Sequence, residues 1–477
     1  MLIDRYTPED VFARVPELAA QTDPVLRALD PLLEDDPLFQ QVRADFARRY
    51  PKTTCHGRHS TPVETLLRLL AIQHLFNWSY GETVRRVADS LVLRWFCRVY
   101  FQRVPHATTL ERWAALIRPD TLDRLNERVV HLAHQARVTQ GRKLRFDGTV
   151  VQTAIHHPTD SSLLTDGVRV LSRVVRRAQP LVGERLSGER DAFRTRLRTM
   201  RRGLQTLHRL ARRKGEEVAQ ARTAVYQKLV ATAEQTVAQA QRVRQALTAA
   251  GTAAGQAGQR LGEQVDHFVP LVQRVIEQAR RRVLQGQKVP AAEKAVSLFE
   301  PHTQIIPRHK GGAAVEFGRT VVVDEVDGGI VTRVHVLEQG DSEHDELAAA
   351  VAHHRAVFGH PPTLVTGDRG MHSAHNERIA RAAGVRHLVI PRAGPVTPAQ
   401  RQREKERSWR RRYRWRAGIE GRISSLRRDY GLRRCLYPGE DGMRRWVGWA
   451  MMASNLRHIG QALAARPART QTRARAA

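Results

Sequence analysis

Two blocks of strand-forming sequence, separated by a long stretch that reads as helix, limit the folds open to this chain. The first block begins at Lys143, where Leu144, Phe146, Val150, Val151 and Ile155 lie in a run enriched in β-branched residues. Residues 171–299 are rich in Ala, Gln, Arg and Leu, and 218–247 contain neither Gly nor Pro, which predicts a helical hairpin or coiled-coil-like insertion broken near 251–258 and at Pro270. Strand signals resume after Pro301: residues 315–326 and 330–337 flank Asp327-Gly328-Gly329, a sequence suited to a hairpin turn. A helix over 344–358, a strand over 362–366, a helix over 373–383, a strand over 385–390 and a basic helical stretch over 398–430 complete the pattern. Alternation of this kind predicts an α/β core with a mixed sheet flanked by helices, interrupted by the helical segment.

The first 135 residues read as short helices. Thr61-Pro62-Val63-Glu64 has the order of a helix start, with a capping Thr, Pro at the first helical position and Glu three residues after the cap. Thr108 and Glu111 form a second capping-box pattern ahead of Trp113 and Leu116. A helix-turn-helix and a plain helical bundle both fit this segment. The expected division is an all-α domain over 1–135, a catalytic domain over 136–170 and 300–435, a helical insertion over 171–299, and a C-terminal helix with a basic tail over 436–477. The tail from Arg466 reads as disordered.

At 41% hydrophobic residues the 477-residue chain can bury real cores, yet its formal net charge is +31. Such a charge opposes compaction by self-repulsion and points to a polyanionic partner, first of all nucleic acid. Arg-favouring codon bias or a membrane-surface role are the alternatives. The three cysteines are far apart in sequence and form no CxxC pair, so neither a zinc ribbon nor a disulfide framework is expected. Residues 1–10 lack the apolar core of a signal peptide, and no apolar run approaches the ~20 residues of a membrane span. The expected location is cytoplasmic and nucleoid-associated.

Asp147 lies in or at the end of the first strand, Asp368 at the C-terminal end of a later strand, and Glu420 on the last basic helix. Open α/β sheets bind ligands outside the carboxyl ends of their strands. Carboxylate oxygens suit hard cations such as Mg²⁺, and two such ions ~4 Å apart can activate a nucleophile and stabilise a leaving oxygen in phosphoryl transfer. Tyr413, Arg416, Glu420 and Arg427 are spaced by three, four and seven residues, so on one continuous helix they share a face roughly 60° wide. Arg suits phosphate because its fork donates two parallel hydrogen bonds. A solvated face with an Arg416–Glu420 pair is the plainer reading.

These residues resemble the signature of bacterial insertion-sequence transposases of the DDE superfamily, Tyr-x2-Arg-x3-Glu-x6-Lys, with Arg427 in place of the final Lys. Phe146-Asp147-Gly148-Thr149 and Gly367-Asp368-Arg369-Gly370 resemble that family's two aspartate motifs, and Glu316-Phe317-Gly318 after Lys310 resembles the entry to its second strand. The resemblance covers roughly 140–170 and 300–460. It implies an RNase H-like catalytic core in which Asp147, Asp368 and Glu420 are catalytic and hold Mg²⁺, or Mn²⁺, as two ions. It further implies DNA contacts by Tyr413, Arg416, Arg427 and Arg369. The implied partners are double-stranded DNA, as transposon ends and as target, and further copies of the chain in a synaptic homo-oligomer. A catalytically inactive DNA-binding relative and a metal-dependent nuclease without strand joining are the other readings.

Four further features invite assignment. His156-His157 and His353-His354 lack the i,i+4 spacing of a helical zinc pair. Trp409, Trp415, Trp446 and Trp449 could stack on bases or fill a core, Trp415 being the best stacking candidate. Gly311-Gly312 is no phosphate loop, since no GxxxxGK[ST] motif is present, and an ATP requirement is not expected. The arginines of 171–299 read equally as DNA contacts or as a solvated face.

Overall fold

Short polar caps and prolines punctuate the N-terminal helices of the protein, here described from a computed structural model covering residues 1–7, 15, 17, 21–50, 52–189, 191–307, 314–392 and 394–466. Lys310, Gly311-Gly312 and the tail beyond Arg466 lie outside the described residues. Asp23 accepts from the Val25 and Leu26 N–H groups to start α1 (Pro24–Leu29), and Asp35 caps α2 (Asp36–Ala47). In α3 (Val63–Leu75) Pro62 itself is the N-cap and no side chain caps the helix, so the expected start moves by one residue. Ser79 and Ser90 cap α4 (Tyr80–Asp89) and α5 (Leu91–Phe96). In α6 (Ala107–Ala114) the His106 side chain takes the Thr108 N–H, leaving Thr108 inside the first turn rather than at the expected cap. Next come α7 (Pro119–Gln135) and β1 (Lys143–Gln152).

One compact unit is formed by residues 153–318. Thr159 and Ser162 form a capping box for α8 (Asp160–Val182), so helix begins well before residue 171. It is followed by α9 (Leu197–Leu210), α10 (Glu216–Ala250) and α11 (Gly255–Ala279). A 3₁₀ turn over Gly251–Ala254 joins α10 to α11, as the glycines there predict, but Pro270 does not break α11. Proline removes one ladder hydrogen bond, whereas Val265, Val269, Val272 and Ile276 around it are buried in this unit's own core. Where α8 meets α11, a Cβ at Gly167 would stand 2.8 Å from a Val272 methyl, so any larger residue would force Val272 or the helices to shift. β2 (Gln304–Pro307) pairs antiparallel with residues Val315 to Gly318 of β3 (Val315–Val326). The ends of the unit meet: the Thr153 N–H donates to the Phe317 carbonyl at 3.2 Å.

Residues 1–152 and 319–477 form the other unit. After β3 come β4 (Ile330–Val336), α12 (Leu347–Phe358), β5 (Leu364–Thr366), α13 (Ala374–Ala382), β6 (His387–Val389), α14 (Pro398–Lys405), α15 (Arg407–Arg414), α16 (Ala417–Asp429) and α17 (Glu440–Ala464). The Asp327 carboxylate in the β3–β4 turn accepts from the N–H groups of Gln140, Arg142 and Lys143 at 3.0, 2.6 and 2.9 Å, docking the hairpin beside the start of β1. Strands β1, β5 and β6 are parallel, β3 and β4 antiparallel, and the mixed sheet runs β4-β3-β1-β5-β6.

Helix α17 carries apolar residues all round and is buried accordingly, including Met443, Trp446, Trp449, Met452 and Ile459. Its Asn455 amide bonds both the N–H and the carbonyl of Val331, tying the helix to β4. Trp446 and Trp449 are thus core residues. No helix among the described residues is long and apolar enough to cross a membrane.

Candidate active site

Strand register places two aspartates side by side. β1 and β5 pair with Arg145 opposite Thr366, and Asp147 and Asp368 each lie two residues beyond that pair. Period-two alternation buries Phe146 beneath the sheet and turns Arg145, Asp147 and Thr149 to the other face. Residues 415–427 contact that face in order. The Trp415 carbonyl accepts from Arg145 Nη1 at 2.5 Å, Arg416 Nη2 reaches Asp147 Oδ2 at 3.4 Å, and Arg427 Nη1 reaches Thr149 Oγ1 at 3.5 Å.

Arg416 is the hub. Its Nη2 also lies 3.5 Å from Asp368 Oδ1, and its Nη1 lies 3.2 Å from Glu420 Oε1. Since Asp147 and Asp368 approach the same nitrogen, their oxygens cannot be farther apart than those two distances laid end to end. The guanidinium is largely enclosed, at 14% exposure, and Asp147 is 18% exposed, whereas Asp368 and Glu420 open to solvent at 56% and 68%.

This setting moves the Asp147 carboxyl up to about 6 from 3.8. Burial is the main cause; Asp368 and Glu343 add to it, while Arg416 and the Gly148 N–H oppose it. The Tyr413 hydroxyl is likewise raised, first by burial, and its ring stacks on Trp409 at 5.0 Å.

The structure corrects one expectation about the basic stretch. Tyr413 lies on α15 and Arg416 is the N-cap of α16, so Tyr413, Arg416, Glu420 and Arg427 do not share one continuous helix. At the junction the backbone tightens to i+3 bonds, Gly418 N–H to the Trp415 carbonyl at 3.3 Å and Ile419 N–H to the Arg416 carbonyl at 2.9 Å, and Arg145 also donates to the Trp415 carbonyl. Trp415 is half-buried, with Arg145 4.6 Å and Lys143 5.8 Å from its ring centre. Arg369 is exposed, and its N–H closes on the neighbouring Asp368 carboxylate at 2.6 Å.

Two acidic residues at the site escape the sequence reading. Glu343, on the 3₁₀ turn after β4, packs against Gly148 so closely that a Cβ there would stand 1.7 Å from Glu343 Oε2. Buried Glu325 joins Arg145 at 2.8 Å to Arg422 at 3.2 Å, bracing α16 against β1. Their sequence signal is limited to acidic residues within or just after strand patterns.

The donor set is all carboxylate oxygen, chemistry that fits a hard divalent cation. Among the described residues no three Asp, Glu, His or Cys side chains are close enough to hold one ion together. The carboxylates are instead gathered around the Arg416 guanidinium, which supplies the positive charge.

Residues 15–116 match a family described as Transposase domain (DUF772), and residues 286–456 match one described as Transposase DDE domain. Asp368, Arg416 and Glu420 fall within the second match, and Asp147 lies outside both. A 123-residue stretch is 30% identical to "Uncharacterized protein ORF8 in nfe locus" of Rhizobium meliloti, covering 24% of this chain and 59% of that protein. No solved structure matches.

Proposed function

The chain belongs to the insertion-sequence DDE transposases, and from that premise we propose that it binds the terminal inverted repeats of its element, cuts there, and joins the freed 3′-hydroxyls to target DNA. The observation that carries the reading is the meeting of Asp147, Asp368 and Glu420 on one guanidinium, although 273 residues separate the first from the last. The strand order β4-β3-β1-β5-β6, with β3 and β4 as a hairpin and β1, β5 and β6 parallel, supports an RNase H-like core.

In this reading Asp147 and Asp368 hold Mg²⁺ or Mn²⁺, with Glu420 completing the set. The cations would polarise the scissile phosphate and favour ionisation of the attacking water or 3′-hydroxyl. Arg416, released from the carboxylates, turns its fork to a DNA phosphate. Arg427, Arg369 and Tyr413 flank the same face, and the N-terminal helices recognise the transposon ends. Acting as a synaptic homo-oligomer inside the cell, the protein needs no ATP.

The test uses Asp147→Asn with labelled end-containing duplexes and with pre-cut ends, in Mg²⁺. We expect end binding without cleavage from the variant, and both cleavage and joined product from the wild type. Wild-type cleavage by the variant rejects the site. Cleavage without joining by the wild type assigns a nuclease, and binding alone assigns an inactive relative.

A further inference from the structure

Some arginines of the insertion are held by acids, while others, such as Arg173, Arg176 and Arg177 on α8, are exposed without an ion pair among the described residues. Arg242 pairs with Glu189 and Arg244 with Asp266, and Arg280, Arg281 and Arg282 meet Glu234, Glu293 and Asp160. Around α9 the cations are densest and no acid lies among them. From Thr195 to Gly215 the sequence holds eight Lys and Arg residues and no Asp or Glu. Arg196 is tied to Asp191, Gln235 and Gln239, whereas Arg198, Arg201, Arg202, Arg209, Arg212, Arg213 and Lys214 are exposed and form no ion pair among the described residues.

Their placement is regular. At ~100° per residue, positions 198, 201, 202, 205 and 209 fall within roughly 100° of the helix circumference, and Arg198 to Arg209 span ~16 Å of axis. Met200 and Leu207 on the opposite side are buried, and Gly203 packs on Leu229 of α10. A merely solvated helix face gains from acids at i,i+4, and this one has none. Like charges held in a row oppose one another unless a polyanion meets them. An anionic membrane is disfavoured, because an interfacial helix inserts its apolar side and that of α9 is already covered. Arg forks in a row, with Gln205 the sole amide on the face, suit phosphate oxygens without base readout.

We propose that the outer face of α9 docks on the backbone of duplex DNA in a sequence-independent manner, as a contact additional to end recognition. This rests on the transposase reading and names a further surface for its substrate. The test is full-length protein carrying Arg198→Gln, Arg201→Gln, Arg202→Gln and Arg209→Gln, compared with wild type in EDTA so that no cleavage intervenes. Fluorescence anisotropy with a random-sequence duplex is read across a KCl series. At ~0.9 of log–log slope per phosphate contact, the variant should lose about 3 to 4 from the salt slope and bind roughly a hundredfold more weakly at low salt. A matching set of Arg→Lys changes should keep most of the slope. Circular dichroism checks that helix content is retained, as expected with the apolar face untouched. An unchanged slope in the Gln variant overturns this inference while leaving the transposase reading standing. Absence of duplex binding by the wild type overturns both. Patch-dependent binding to phosphatidylserine–phosphatidylcholine vesicles without patch-dependent binding to DNA replaces the duplex with a membrane and overturns it as well.

Discussion

Replacing Asp147 by Asn should make the cation-free protein more stable, and the gain should grow with pH. In the folded chain the carboxyl sits at about 6 rather than 3.8, chiefly because it is buried and only in part relieved by Arg416. A raised folded value means that the ionised form is the disfavoured one in the native state. Stability associated with the protonated group is therefore full below about pH 4 and is lost as pH rises toward 6. Asn imitates the protonated form at every pH. At ~1.4 kcal/mol per pH unit, the variant should exceed the wild type by about 2 kcal/mol at pH 5 and about 3 kcal/mol at pH 8. All seven tryptophans lie outside 153–318, so tryptophan fluorescence in urea, with EDTA present, reports the unit that contains Asp147. A variant that matches the wild type at pH 8, or an advantage that shrinks between pH 5 and pH 8, would refute the argument. Either result would mean that Arg416 outweighs burial.

Mg²⁺ should stabilise the wild type by about 2.7 kcal/mol at one hundred times its dissociation constant, as a rise in the fluorescence melting temperature. The rise should be larger at pH 8 than at pH 5, where Asp147 is mostly protonated, and absent in Asp147→Asn. Arg416→Gln leaves Asp147 without its main counter-charge and should cost about 1–3 kcal/mol at pH 8 in EDTA, the low end of a broken buried pair because two of its three partners are exposed. Arg416→Lys should recover part of that stability but lose cleavage at least roughly tenfold, since an ammonium cannot reproduce the fork, as gel assays of end cutting would show. Glu343→Gln removes one of the charges that raise Asp147, so the carboxyl should titrate lower, read as a smaller pH-8 advantage when Asp147→Asn is added to it.

Much of the site is legible in local sequence because its parts are local. The alternation around Phe146 and Asp147, the turn at Asp327-Gly328-Gly329 and the Tyr-Arg-Glu spacing each follow from neighbours in the chain. What escapes is set by partners far away. The junction between α15 and α16 carries a bond from Arg145, 270 residues before the carbonyl it binds, and helical periodicity cannot register such a bond. Glu343 escapes for the same reason, since its closeness to Gly148 arises only from tertiary packing. The early start of α8 was hidden by the β-branched residues that precede Thr159, where capping rather than propensity decides the boundary.

The hydrogen bond joining Thr153 to Phe317 bears on the cost of closing the sheet. As a slack loop, 153–318 would oppose the meeting of β1 and β3 by about 4.5 kcal/mol of closure entropy. Once folded, the insertion presents its two ends already adjacent, so most of that entropy is offset by the insertion's own helix packing. To the sheet, two strands far apart along the chain then behave as near neighbours. The register that sets the two aspartates abreast is thus a matter of β1 and β5 alone, whatever the length of the chain between β1 and β3.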